Sequence, residues 1–242
     1  MKHQRTLTYF ISSLFLLLFC VSVNAQNEED TTPVNDTIVI KEKYGLRVGV
    51  DMSKLGRSFF DDDYSGFEIA ADYRLKKRLY IAGEIGFDEK TTVTDFLDVT
   101  SKGSYIKAGI DYNMYQNWLN MDNMIYSGFR IGASSFSQNR NSFTVYTTNQ
   151  YWAPQFTSTD LEEFKGLTAI WAELIIGMKV ELFNNLYLGL NAQLKIMASE
   201  TEPDNFGNVF IPGFNKTFDG SGIGVGYGYT ISYRIPLYKK DK

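Results

Sequence analysis

From residue 44 to residue 235 the chain alternates apolar and polar positions, run after run. The last run shows it most plainly. In GIGVGYGYTISYRI (222–235) the odd positions are Ile223, Val225, Tyr227, Tyr229, Ile231, Tyr233 and Ile235. The even positions between them are Gly224, Gly226, Gly228, Thr230, Ser232 and Arg234. Successive side chains of a strand point to opposite faces, so period two marks a strand between two different environments. Eight such runs are predicted, over 44–53, 66–75, 79–88, 104–114, 124–136, 168–182, 186–197 and 222–235. Pro236 is expected to end the last ladder, because it has no N–H to give. The connections take turns in length: 76–78, 115–123 and 183–185 are short, whereas 54–65, 89–103, 137–167 and 198–221 are long. That arrangement predicts an all-β fold, an eight-stranded antiparallel up-and-down barrel with its tight turns at one end and its large loops at the other.

Alternation alone leaves two barrels open. A soluble, lipocalin-like periplasmic ligand-binding barrel turns its apolar face inward, and a transmembrane β-barrel turns it outward. Three features favour the transmembrane form. The loops are asymmetric. Glycine crowds the polar face, at Gly45, Gly49, Gly66, Gly86, Gly109, Gly128, Gly132, Gly177, Gly189, Gly224, Gly226 and Gly228, as the narrow interior of an eight-stranded barrel requires. Aromatic residues sit toward strand ends on the apolar face, at Tyr44, Phe67, Tyr73, Phe87, Tyr112, Tyr227 and Tyr233, where an apolar ring with a wet hydroxyl suits a bilayer interface.

The start of the chain reads as an export signal. Lys2 and Arg5 are its basic end, 11–20 its apolar run, and Val23-Asn24-Ala25 its small-residue site, with cleavage between Ala25 and Gln26. The expected organisation is a signal peptide over 1–25, a flexible periplasmic leader over 26–42 and a barrel domain over 43–242. The leader is acidic and rich in Thr and Asn, with Pro33 inside it. Its Asp30-Thr31-Thr32 and Asp36-Thr37-Ile38 triplets resemble bacterial O-glycosylation sites.

Removal of the signal changes both charge and chemistry. The net charge of −4 becomes about −6 when Lys2 and Arg5 leave, which argues against a nucleic-acid partner. His3 and Cys20 are the chain's only His and Cys, and both lie in the signal. Imidazole and thiol catalysis, zinc sites and disulfides are thereby excluded from the exported chain. No cofactor is expected, and the chain is not expected to be an enzyme.

Signal, acidic leader, eight alternating strands and a Gly/Tyr-rich last strand together resemble the small outer-membrane β-barrel proteins of Gram-negative bacteria. KYGLRVGVDMSKL (43–55) and GFEIAADYRL (66–75) resemble an uncharacterised family of such proteins, of Bacteroidetes type, a domain of unknown function. The resemblance spans nearly all of 36–240. It implies the barrel fold and the outer membrane as location, and carries no activity.

Three sets of residues could carry function. The first is charge on the inward face: Arg47, Arg74, Lys107, Arg130, Lys179, Lys195 and Arg234 against Asp51, Glu68, Asp72, Glu84, Asp111, Glu173 and Glu181. Seven of each sign suit a paired network filling a closed interior. The alternative is a narrow channel for ions or small solutes. The second is acidic loop clusters, Asp61-Asp62-Asp63 and Glu200, Glu202, Asp204, which could hold calcium but lack its usual ligand spacing, so no metal site is assigned. The third is loop 138–166, rich in aromatic and hydroxyl side chains, where Tyr146, Tyr151, Trp152 and Phe156 are candidates for contact. SFTVYTTNQYW (142–152) could also form a hairpin turning at Thr148-Asn149, extending two strands or raising the count to ten. The expected partners are outer-membrane lipid and lipopolysaccharide, with an extracellular or periplasmic protein or glycan as a further candidate.

Overall fold

The computed structural model describes residues 41–115, 122–145, 156–204, 207–215 and 221–241. The expected signal peptide, most of the leader with its Thr triplets, and Tyr146, Tyr151 and Trp152 lie outside the described residues.

Among the described residues there are nine strands and one helix: β1 (Lys41–Asp51), α1 (Met52–Phe60), β2 (Tyr64–Arg74), β3 (Leu79–Val93), β4 (Leu97–Asn113), β5 (Met124–Val145), β6 (Phe156–Ser158), β7 (Glu162–Phe183), β8 (Leu186–Glu200) and β9 (Ile223–Asp241). Every pairing is antiparallel. The order β4-β3-β2-β1-β9-β8-β7-β5 closes on itself through β4–β5, giving an eight-stranded barrel. In-register partners followed once around from Leu46 run through Tyr73, Ile81, Ile110, Phe129, Leu174 and Leu194 to Val225. Leu46 itself pairs with Ile235, ten residues from Val225, so the barrel is staggered by ten residues. With strands about 4.8 Å apart and a rise of about 3.3 Å per residue, that stagger tilts the strands by about 40°.

The two faces differ as the alternation predicts. Outward side chains form an apolar belt: Ile81 and Ile85, Ile106 and Ile110, Ile125, Phe129 and Ile131, Leu174 and Ile176, Leu190, Leu194 and Ile196, Val225 and Ile231 are all exposed, Ile176 by 67%. From Leu186 to Ile196 the belt is ten residues tall, about 25 Å at this tilt. Tyr112 and Tyr233 mark its lower edge, Phe67 and Phe87 its upper edge. The inward face carries the charged, small and buried aromatic residues.

Several expectations needed correction. The strand predicted over 44–53 ends at Asp51, and Met52 and Ser53 open α1. Asp51 is the N-cap, accepting from the Ser53 N–H at 2.7 Å and the Ser53 hydroxyl at 2.6 Å, which satisfies a helix-start donor that no intrahelical carbonyl can reach. Residues 89–103 are not a loop: β3 and β4 run on and turn tightly at 94–96, where the Thr94 N–H donates to the Leu97 carbonyl. Polar residues on both faces hide this extension from a hydrophobicity pattern. Pro236 does not end β9. It sits opposite Gly45 at a bulge between Tyr44 and Gly45, and the pairing resumes at Tyr44↔Tyr238. That bulge reverses Tyr44, which is buried inside the barrel and not on the outer face. The ring keeps eight strands, because β6 only lengthens the edge of β5 that β7 leaves at Arg140↔Glu162.

Candidate functional site

The lower interior, beside the tight turns, is a column of alternating rings and guanidiniums. The Arg74 guanidinium lies 5.1 Å from the Tyr44 ring centre and 5.7 Å from that of Tyr80. Arg47 lies 4.9 Å from Tyr80 and 5.2 Å from Tyr187, and Arg234 lies 5.1 Å from Tyr187. Each cation is attracted to the negative ring face, more strongly once water is removed. Acids complete the layer. Arg47 donates to Asp72 at 2.7 Å, Asp122 pairs with Arg234 and with Arg74 (3.6 Å), and Glu181 pairs with Lys43 at 3.0 Å. A cavity of about 360 Å³ lies at this end, lined by Lys43, Tyr44, Asn184, Asn185, Arg234, Pro236 and Leu237.

Above it lies a charge lattice. Lys179 pairs with Asp72 at 2.6 Å, and Arg130 with Asp111 at 2.8 Å and Glu84 at 3.3 Å. Lys107 reaches Glu84 at 2.7 Å and Glu68 at 3.3 Å. Buried charges are costly alone, so each is tied to opposite charge and to further donors. Tyr105 donates to Glu68 at 2.5 Å, and the Trp171 indole donates to Glu173 at 2.7 Å. A cavity of about 30 Å³ among Arg47, Asp72, Glu84, Tyr126, Arg130 and Lys179 has room for water and little else.

The upper interior is closed by apolar contact. The connection between β8 and β9 turns back at Ile211–Asn215 and drives Ile211 and Phe214 into the barrel, both buried. They pack with Tyr105, Phe136, Leu167, Ala169 and Trp171, the Trp171 and Phe214 rings meeting edge to face at 5.8 Å. Gly213 turns there with φ 79°, and a Cβ on it would lie 2.5 Å from the Tyr105 ring, so only glycine fits. Its N–H donates to Asp88 at 2.9 Å and its carbonyl accepts from Lys195 at 2.6 Å. Asp88 also accepts from Tyr64 and from Lys54 of α1, each at 2.7 Å.

The structure brings thirteen of the fourteen predicted charges into these layers. Asp51 stands apart: its carboxylate caps α1, and among the described residues no cation pairs with it. Sequence reasoning passed over Asp88, Lys54, Lys43 and Asp122. Asp88 stands with Glu84 on the polar phase of the predicted run 79–88, and that phase alone was enough to place it among the inward charges; Lys54 and Asp122 lie in predicted connections, where no period reports direction. The interior aromatics Tyr44, Tyr64, Tyr80, Tyr105, Tyr126, Trp171 and Tyr187 were likewise missed, because alternation sorts by polarity and these residues have both characters.

At the loop end β5 and β7 rise well above the belt. Phe156, a candidate for contact, lies on β6 and is 61% exposed, 6.4 Å from Phe143. Val93, Phe96 and Leu161 are exposed at the same end. The carboxylates of 61–63 do not converge. Asp61 pairs with Arg57 and Lys90, at 3.2 and 3.1 Å, and hydrogen bonds from these cations hold its carboxyl below the usual range. Glu200 instead accepts from Asn208 at 2.6 Å. Among the described residues no cluster of acids, His or Cys could hold a metal, and no helix is long and apolar enough to cross a membrane.

Over residues 6–240 the chain matches the domain of unknown function DUF6048 and belongs to that family. No curated protein matches it. Among solved structures it is similar to Ail, the attachment invasion locus protein of Yersinia pestis, at 8% identity and a TM-score of 0.40, over 79% of this chain and 97% of that one.

Proposed function

We propose that this member of the DUF6048 family is a small integral protein of the bacterial outer membrane, non-enzymatic, with a closed charged interior, acting through the surface it presents at its loop end. The observation that carries this reading is the inversion of the two faces. Ile85, Ile106, Ile131, Ile176 and Val225 are exposed outside, while Arg47, Asp72, Lys107, Asp111, Arg130 and Glu173 are buried inside. In water that arrangement would leave an apolar surface far beyond the few hundred Å² a soluble monomer tolerates; in a bilayer it is the stable one.

Closure is supported by the filled interior, with an aromatic–guanidinium column below, ion pairs between and Phe214 above. The surface role is supported by the tall β3–β5 and β7 wall with its exposed Phe96, Phe156 and Leu161. Its partner would be a protein or glycan outside the cell, beside the outer-membrane lipid and lipopolysaccharide around the barrel.

Bilayer recording tests both halves. The protein, refolded into lipid and checked by its heat-dependent gel mobility, is expected to insert and remain silent. Discrete, salt-dependent steps would replace closure by a narrow channel. Failure to enter lipid would restore the soluble barrel.

A further inference from the structure

The barrel wall is not strand over its full height. β1 leaves the ladders at Val50↔Ile69 on one side and Asp51↔Thr230 on the other. Above that level Tyr64–Glu68 of β2 and Ile223–Tyr229 of β9 have no strand between them among the described residues. α1 fills this notch, touching both β2 and β9. Its polar groups stand in for the missing strand. The Ser58 hydroxyl accepts from the Gly66 N–H at 2.8 Å, its one proton lying between the Lys54 carbonyl at 2.9 Å and the Gly66 carbonyl at 3.3 Å, and Asp51 accepts from the Tyr229 N–H at 3.3 Å. Open strand edges facing lipid need such partners, since no water is there to supply them.

The helix is inside out. Lys54 reaches the buried Asp88 and lies 4.9 Å from the Tyr105 ring, so it turns into the barrel, while Arg57 lies over the Tyr64 ring at 4.1 Å and pairs with Asp61 at the rim. At about 100° per residue the opposite arc holds Met52, Leu55, Gly56, Phe59 and Phe60. None of the helix is buried, and Phe59 and Phe60 are 85% and 93% exposed. This arc is level with the upper belt: Gly66, held by Ser58, adjoins Phe67, and Val225 and Tyr227 of β9 flank the notch.

We infer that α1 is a lipid-facing helix, whose apolar arc contacts the acyl chains of the outer leaflet and completes the membrane-facing wall where β1 stops. The inference rests on the membrane reading above. Lipid fits better than a protein partner, because the arc continues the apolar belt and carries no charge or hydrogen-bonding side chain to specify a protein.

The test uses spin labels on single cysteines in a Cys20→Ser background, which otherwise has no thiol. Phe60→Cys and Phe59→Cys report on the helix, Val225→Cys on the belt and Leu161→Cys on the outer tip. Each protein is refolded into lipid vesicles and checked by gel mobility. Collision with oxygen, which dissolves in lipid, is compared with collision with a water-soluble nickel chelate. The oxygen-to-nickel ratio at Phe60 or Phe59 is expected to match Val225 and to exceed Leu161 by about tenfold, as for a residue buried in acyl chains. A helix label matching Leu161 while Val225 stays lipid-protected would overturn the inference and place α1 in water. A Val225 label open to nickel would overturn the membrane reading, and the inference with it.

Discussion

The barrel is sealed twice, by different physics. The lower seal is polar, with guanidiniums stacked between tyrosine rings and tied to Asp72, Asp122 and Glu181. Apart from Asp122, its members sit on strands. The upper seal is apolar, with Ile211 and Phe214 brought in by a connection and packed on Trp171, Tyr105 and Phe136. Strand residues arrive in register and can be matched ion to ion; a loop residue is held mainly by the volume it fills. Asp88 joins the two chemistries, as a buried carboxylate that anchors the apolar turn through the Gly213 N–H and α1 through Lys54.

Breaking the apolar seal has the largest expected effect. Trp171→Ala leaves a cavity and removes the indole donor from Glu173, which keeps only the longer pairs to Lys195 and Lys107, and should cost about 3–5 kcal/mol in unfolding by urea from lipid or detergent. Asp88→Ala should follow at about 3 kcal/mol, since it leaves Lys54 and the Gly213 N–H without their acceptor. In the polar seal Tyr187→Leu removes two cation–ring contacts and the hydroxyl that donates to Asp122, for about 1–2 kcal/mol. Neither Phe214→Ala nor Tyr187→Leu should make the barrel conduct, because the other seal and the ion lattice between them remain. A single substitution that opens the pore would show that one seal alone closes it.

The smallest effect lies outside the belt. Asp61 has its carboxyl lowered by Lys90 and Arg57, so its charged form is favoured in the folded protein. The stability it adds is present above the ordinary aspartate range and is lost as pH falls through its lowered value. Asp61→Asn should therefore remove a small, salt-sensitive part of the acid dependence seen in urea titrations at successive pH values. An unchanged acid dependence would count against the pairing.

The strand faces were legible because each depends only on the next residue but one. Arg130 and Ile131 take opposite sides by geometry alone, and so do Glu173 and Leu174. The exceptions come where a local rule meets a distant partner. Tyr44 follows the apolar phase of 44–50 in sequence, yet the bulge against Pro236 turns it inward beside Arg74. Asp51 continues the polar phase of β1, but the chain turns into α1 there and its carboxylate becomes a cap.

The sequence by itself determined the barrel and the polarity of its two faces, because alternation is a property of neighbours along the chain; that 142–152 adds no further pair to the eight strands was settled by the pairing of β6 on β5. It also determined the stock of inward charges. Only the tertiary structure decided which acid meets which base, that a loop returns to close the upper end, and that a helix continues the wall where β1 stops. Those choices depend on a ten-residue stagger that brings residues far apart in the chain to one level, and on the volume left between them. Neither quantity is carried by any short stretch of sequence.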